Sequence, residues 1–158
     1  MKNSHLFKTL IDILFFLHVL GLFALILWFP IDIFSGANAE HLHLWEWIIL
    51  TLYCVIYLIF LRGLFFMRKT AGKLLQNKIF TKYSAYSTMI GGYHFIIAGI
   101  LLLLIILSKN LFQLNFESLP KSFSITPIFL IMIGLFFTIQ SEILLKAIDI
   151  KSENDLMI

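Results

Sequence analysis

Charge is what this sequence has least of. Asp, Glu, Lys and Arg together make up 13% of its 158 residues, about half the share in a soluble domain. A soluble fold of this length needs a polar surface, and these residues are too few to make one. Cysteine is nearly absent. Cys54 stands alone, which excludes an intrachain disulfide and says nothing about redox compartment. Proline is scarce too, and Pro30 and Pro127 fall near the ends of apolar runs. That placement argues against the discontinuous midplane helices of many transporters. No assembled catalytic set is present either, so the expectation is a protein that is not an enzyme and carries no cofactor.

What is there is apolar: 60% of the residues are hydrophobic, 17 of them Phe. Lipid is the solvent that tolerates such a chain. Apolar blocks run over about 9–29, 47–66, 86–107 and 125–147, each close to the ~20 residues that cross ~30 Å of hydrocarbon. Backbone polar groups find no water in lipid, and helices satisfy them locally. The expected architecture is an all-α integral membrane four-helix bundle, a single transmembrane domain over 1–158. Ala37-Asn38-Ala39 resembles a signal-peptide cleavage site. The run before it, however, is longer than a usual h-region and carries Asp12 and His18, so a retained helix is expected.

Basic residues set the expected orientation. All Lys and Arg except Lys109 and Lys121 fall on one side: before the first block, between the second and third, and after the fourth. The other side has Asp32, Glu40 and Glu46 in a loop free of Lys and Arg. Both termini and the basic connection are therefore expected in the cytoplasm. Trp28, Trp45 and Trp47 suit the outer interface, and Tyr83 and Tyr86 the inner one.

The basic connection has Leu74, Leu75 and Ile79 beside Lys73, Lys78 and Lys82. It reads as a short amphipathic cytoplasmic segment lying on anionic lipid, or alternatively as a docking surface for a cytosolic protein. Arg68, Lys69, Lys73, Lys78 and Lys82 are its contact candidates, with Glu153, Asp155 and Leu156 in the tail. Phe80-Thr81 has the form of an apolar residue before an N-cap that restarts the chain as helix.

Here the residues resemble a known family. Leu61-Arg62-Gly63-Leu64, Asn77-Lys78-Ile79-Phe80-Thr81, Ile90-Gly91, Glu142 and the ending Lys151 to Ile158 are similar to domain-of-unknown-function family 2975, small bacterial four-helix membrane proteins. Asn154 and Met157 stand where that family usually has Gln and Thr. The resemblance covers the layout of the whole chain and implies no enzymatic activity. It implies a bacterial inner-membrane location and a component that communicates with a cytosolic helix-turn-helix regulator of the Xre type. Nothing in the chain itself looks like a module that reads nucleic acid.

Ionisable groups at membrane depth are costly and raise functional questions. Asp12, Arg62 and Glu142 lie near the basic end of their helices, where an ion-pair cluster joining helices one, two and four is expected. His18 and His94 lie deeper and at matched depth. They suggest interhelical hydrogen bonds to Gln140, Tyr53, Tyr57 or a backbone carbonyl, or else a haem b site or proton relay. In the external loop, His41 and His43 with Glu40 or Glu46 have the chemistry of a Zn²⁺ site but the spacing of no established one. Ser84, Thr88 and Gly92, spaced by four, read as helix packing. The favoured function is a non-enzymatic interaction or regulatory component. The alternatives are an accessory subunit of a larger membrane complex or transporter, and a haem or quinone redox protein built on His18 and His94.

Overall fold

The computed structural model describes residues 2–35, 44–76, 81–111 and 125–156. They form four helices: α1 (Lys2–Ser35), α2 (Leu44–Leu75), α3 (Lys82–Leu111) and α4 (Thr126–Leu156). Each is long and apolar enough to cross a membrane, and the chain is a multi-pass membrane protein. At 1.5 Å per residue the helices are about 45–51 Å long, well beyond the ~30 Å hydrocarbon layer. Every helix therefore extends past its apolar block. Thr81 caps α3 as expected, its Oγ1 accepting from the Ser84 N–H at 3.2 Å.

The basic connection departs from expectation. It is not set apart as a separate amphipathic segment: α2 continues unbroken through Arg68, Lys73 and Leu75. Packing on α3 sustains the extra turns. Ala71 is fully buried, and Thr70 Oγ1 lies 3.2 Å from Thr88 Oγ1. Ser87 Oγ also donates to the Phe66 carbonyl across the seam at 3.2 Å.

The helices pack in chain order, α1 on α2, α2 on α3 and α3 on α4, with no more than marginal contact between any other pair among the described residues. The bundle is thus an open row, not a ring. Ile11 of α1, Leu61, Leu64 and Met67 of α2 and Phe95 of α3 make its main core. Phe95 joins three helices, its ring 5.5 Å from Phe60 and 6.1 Å from Phe137. Gly63 makes room for it, because a Cβ there would stand 2.8 Å from the Phe95 ring. Ile56, Ala98 and Leu102 form a second, smaller cluster, and many other apolar side chains face outward, as Leu17, Leu20, Phe129 and Phe136 do.

The closest seam lies between α3 and α4. Lipid tails are as apolar as the side chains, so helices associate in a bilayer through close packing and not through water exclusion. Small residues repeat every seventh position on both helices: Ala85, Gly92 and Gly99 on α3, and Pro127, Gly134 and Ser141 on α4. Each step up α3 meets one step down α4. Ser141 Oγ donates to the Ala85 carbonyl at 2.7 Å. A Cβ on Gly92 would stand 2.8 Å from the Gly134 carbonyl oxygen, and one on Gly99 would stand 2.8 Å from that of Pro127. A seven-residue repeat is what keeps a seam in register along two supercoiled helices. The expected packing row holds one member of this seam, Gly92. Ser84 and Thr88 are buried as well, and Thr88 meets α2, its Oγ1 donating to the Ser84 carbonyl at 3.0 Å and lying 3.2 Å from Thr70 Oγ1.

Candidate functional site

The polar groups nearest the basic end gather where α1 crosses α2. Asp12, Phe15 and Phe16 lie three and four residues apart on α1, so they share one face. Arg68 of α2 fills that face. Its Nε donates to Asp12 Oδ1 at 2.6 Å, and its guanidinium carbon lies 5.5 Å and 5.6 Å from the Phe15 and Phe16 ring centroids. The charge is held by hydrogen bond and ring faces together, which suits a planar guanidinium better than an ammonium.

This arrangement corrects the expected Asp12–Arg62–Glu142 cluster. Arg62 lies six residues before Arg68, about 120° around the helix and about 9 Å along it, so it turns away from α1 and is exposed. Glu142 is exposed on α4, which sits beyond α3 in the row and makes no more than marginal contact with α1 or α2 among the described residues. Neither residue enters an ion pair among the described residues. Depth along each helix was readable from the sequence, whereas facing direction was not.

The two histidines each turn back on their own helix. His18 Nδ1 lies 2.7 Å from the Leu14 carbonyl and His94 Nδ1 2.7 Å from the Ile90 carbonyl. A carbonyl only accepts, so Nδ1 is the donor in both. The expected interhelical bond appears in a different form: Tyr57 of α2 donates to the backbone carbonyl of His18 at 2.9 Å. Gly21 permits it, since a Cβ there would stand 2.8 Å from the Tyr57 hydroxyl oxygen.

The rings do not converge. His18 packs 5.0 Å from Phe60 and 6.1 Å from Tyr57, whereas His94 packs 5.7 Å from Phe66. Phe60 and Phe66 lie about 120° apart around α2 and about 9 Å apart along it. Two axial ligands must meet at one iron, and here α2 stands between them. The structure thus does not assemble the haem site that matched depth suggested. Among the described residues no group of three or more His, Cys, Asp and Glu is placed to hold a metal ion. His41 and His43 lie outside the described residues, as does Lys78.

The profile of the family described as "Protein of unknown function (DUF2975)" matches residues 43–158. The chain belongs to that family. The match takes in α2, α3 and α4 with their glycine seam, and begins after α1. No curated protein and no solved structure matches the chain.

Of the remaining contact candidates, Lys69 is exposed on α2 and Lys73 half-buried, each over an aromatic ring. Lys82 Nζ lies 3.6 Å from Asp149 Oδ1, tying the start of α3 to α4. Glu153 is exposed on the last turns of α4, and that helix includes Asp155 and Leu156. Sequence reasoning missed the α3–α4 register, although small residues seven apart on both helices carried the signal. It also missed Arg68 as the partner of Asp12, which no spacing within one helix reveals.

Proposed function

We propose that this protein is a non-enzymatic interaction or regulatory component of the bacterial cytoplasmic membrane, with both termini and the α2–α3 connection in the cytoplasm. The excess of Lys and Arg at one end of the helices supports that orientation, and four spans return both termini to the same side. The observation that carries the reading is the length of α4. It runs 31 residues to Leu156, so its last ten or so project about 15 Å beyond a ~30 Å apolar layer. Lys151, Ser152, Glu153 and Asn154 are exposed on this projection, and the Lys82–Asp149 contact braces it. A rigid, charged helix end fixed to a membrane anchor suits capture of a cytosolic protein. The family resemblance makes a helix-turn-helix regulator of the Xre type the partner class to test first. Contact with nucleic acid would then belong to that partner.

Co-purification from mild detergent tests this. The wild-type protein is compared with a variant carrying Lys78→Ala, Glu153→Ala, Asp155→Ala and Leu156→Ala. Loss of a specific soluble protein from the variant supports the reading, and retention of the same set by both proteins refutes it. A native mass showing only membrane subunits in the complex favours an accessory-subunit role instead. An absorbance spectrum of the same sample tests the redox alternative.

A further inference from the structure

The basic residues of α2 divide by face. Arg68 turns to α1, where Asp12 meets its charge. Arg62, Lys69 and Lys73 enter no ion pair among the described residues. At about 100° per residue these three lie within about 40° of one another, about 100–140° away from Arg68. They form one stripe along the flank of α2 turned away from α1. Lys69 Nζ lies 4.6 Å and 5.4 Å from the Phe65 and Phe66 ring centroids, and Lys73 Nζ 5.6 Å from that of Tyr83 on α3. The rings hold both ammonium groups at the outer flank of the α2–α3 seam.

Depth along the stripe is graded. Arg62 lies about 10 Å farther into the membrane than Lys69 and about 16 Å farther than Lys73. Beyond Arg62 the same face continues as Val55 and Leu58, both exposed. A guanidinium exposed on a spanning helix, with no carboxylate paired to it among the described residues, is costly, and an anion from outside the chain offsets that cost. A cationic head above an apolar track complements one molecule closely: an acidic phosphate ester above two acyl chains. A carboxylate on a partner helix supplies the charge but leaves Lys69 and Lys73, at headgroup level, without a role.

We propose that the stripe of Arg62, Lys69 and Lys73 binds an anionic phospholipid in the leaflet it faces, the two lysines at its headgroup and Arg62 reaching it from the deeper side, its acyl chains running along Val55 and Leu58. This site is distinct from the α4 projection and stands whether or not that projection binds a protein. It sorts the basic end into two surfaces, a lipid side on α2 and a protein side on α4.

The test uses the full chain in nanodiscs of equal phosphatidylglycerol and phosphatidylcholine, followed by gentle release and native mass spectrometry. Wild type is compared with Arg62→Gln/Lys69→Gln/Lys73→Gln and with a charge-matched control, Lys8→Gln/Lys146→Gln/Lys151→Gln. Wild type and control are expected to retain phosphatidylglycerol in preference to phosphatidylcholine. The stripe variant is expected to lose that preference, by about fivefold for each cation removed. Circular dichroism checks that it keeps its helix content; if it does not, Arg62→Gln and Lys69→Gln are measured singly and each must lower retention. Equal retention by all variants overturns the proposal, as does equal retention of the two lipids. Displacement of the lipid by excess glycerol phosphate, or a second copy of the chain bound in its place, overturns it too.

Discussion

Placing a methyl group at Gly92 tests whether the α3–α4 seam is set by backbone contact. In an unobstructed helix Gly→Ala is favourable by about 0.8–1.0 kcal/mol, because alanine has less conformational freedom to lose. At Gly92 the new Cβ would stand 2.8 Å from the Gly134 carbonyl oxygen, 3.1 Å from the Thr138 nitrogen and 3.0 Å from Thr138 Cγ2. Two of those atoms are backbone, so no rotamer change relieves the clash and α4 must move away. Overpacking of this kind costs about 1–3 kcal/mol, and an obstruction made of backbone belongs in the upper half of that range. Set against the propensity gain, the net loss is about 1–2 kcal/mol, a factor of about 5–30 in the folded-to-unfolded ratio. Thermal unfolding in mild detergent, followed by circular dichroism, reads the change. Gly72→Ala is the control, because nothing lies within 4 Å of a Cβ there, and it should leave stability unchanged or slightly raised. A Gly92→Ala protein as stable as wild type would refute the reasoning. The double variant Gly92→Ala/Gly134→Ala sharpens the test, since each methyl group strikes the other helix's backbone at the same crossing and both force the same pair of helices apart. Once the first has parted the helices the second should cost less, giving a total below the sum of the singles.

Three further outcomes follow from the α1–α2 junction. A double-mutant cycle on Asp12→Asn and Arg68→Gln should show a coupling of up to about 1 kcal/mol, modest because the two side chains remain 26% and 37% exposed. The same cycle on Asp12 and Arg62 should show none, and a larger coupling to Arg62 would restore the cluster that depth alone suggested. Tyr57→Phe should cost about 0.5–1.5 kcal/mol by removing the bond to the His18 carbonyl. Gly21→Ala should be harmful in the wild type yet better tolerated in the Tyr57→Phe background, where the hydroxyl it strikes is gone; equal cost in both backgrounds would show that Gly21 serves some other purpose.

Much of the architecture was legible in the residues alone. The number of helices, their apolar centres and the cap at Thr81 all come from properties of single segments. The bilayer acts on each segment separately, so hydropathy and a local hydrogen bond are enough to specify them. The ends of the helices were less legible, because the turns from Arg68 to Leu75 are polar enough to read as a separate amphipathic segment and not as part of α2. They continue α2 because Ala71 is buried and Thr70 meets Thr88 of α3, a contact no local pattern announces. Phe80, which precedes the cap, lies outside the described residues.

Which polar groups meet was decided only by the tertiary structure. Asp12, Arg62 and Arg68 have suitable charge and depth in any reading of the sequence, and rotation of α2 alone selects Arg68 for Asp12 and leaves Arg62 outward. His18 and His94 match in depth by residue count alone, and in the fold they share no seam. Helices in lipid gain little from burying one apolar face over another, so hydropathy carries almost no record of who packs on whom. That record lies in small residues such as Gly92 and Gly134, whose meaning appears only when a neighbour's backbone is seen to occupy the space they leave.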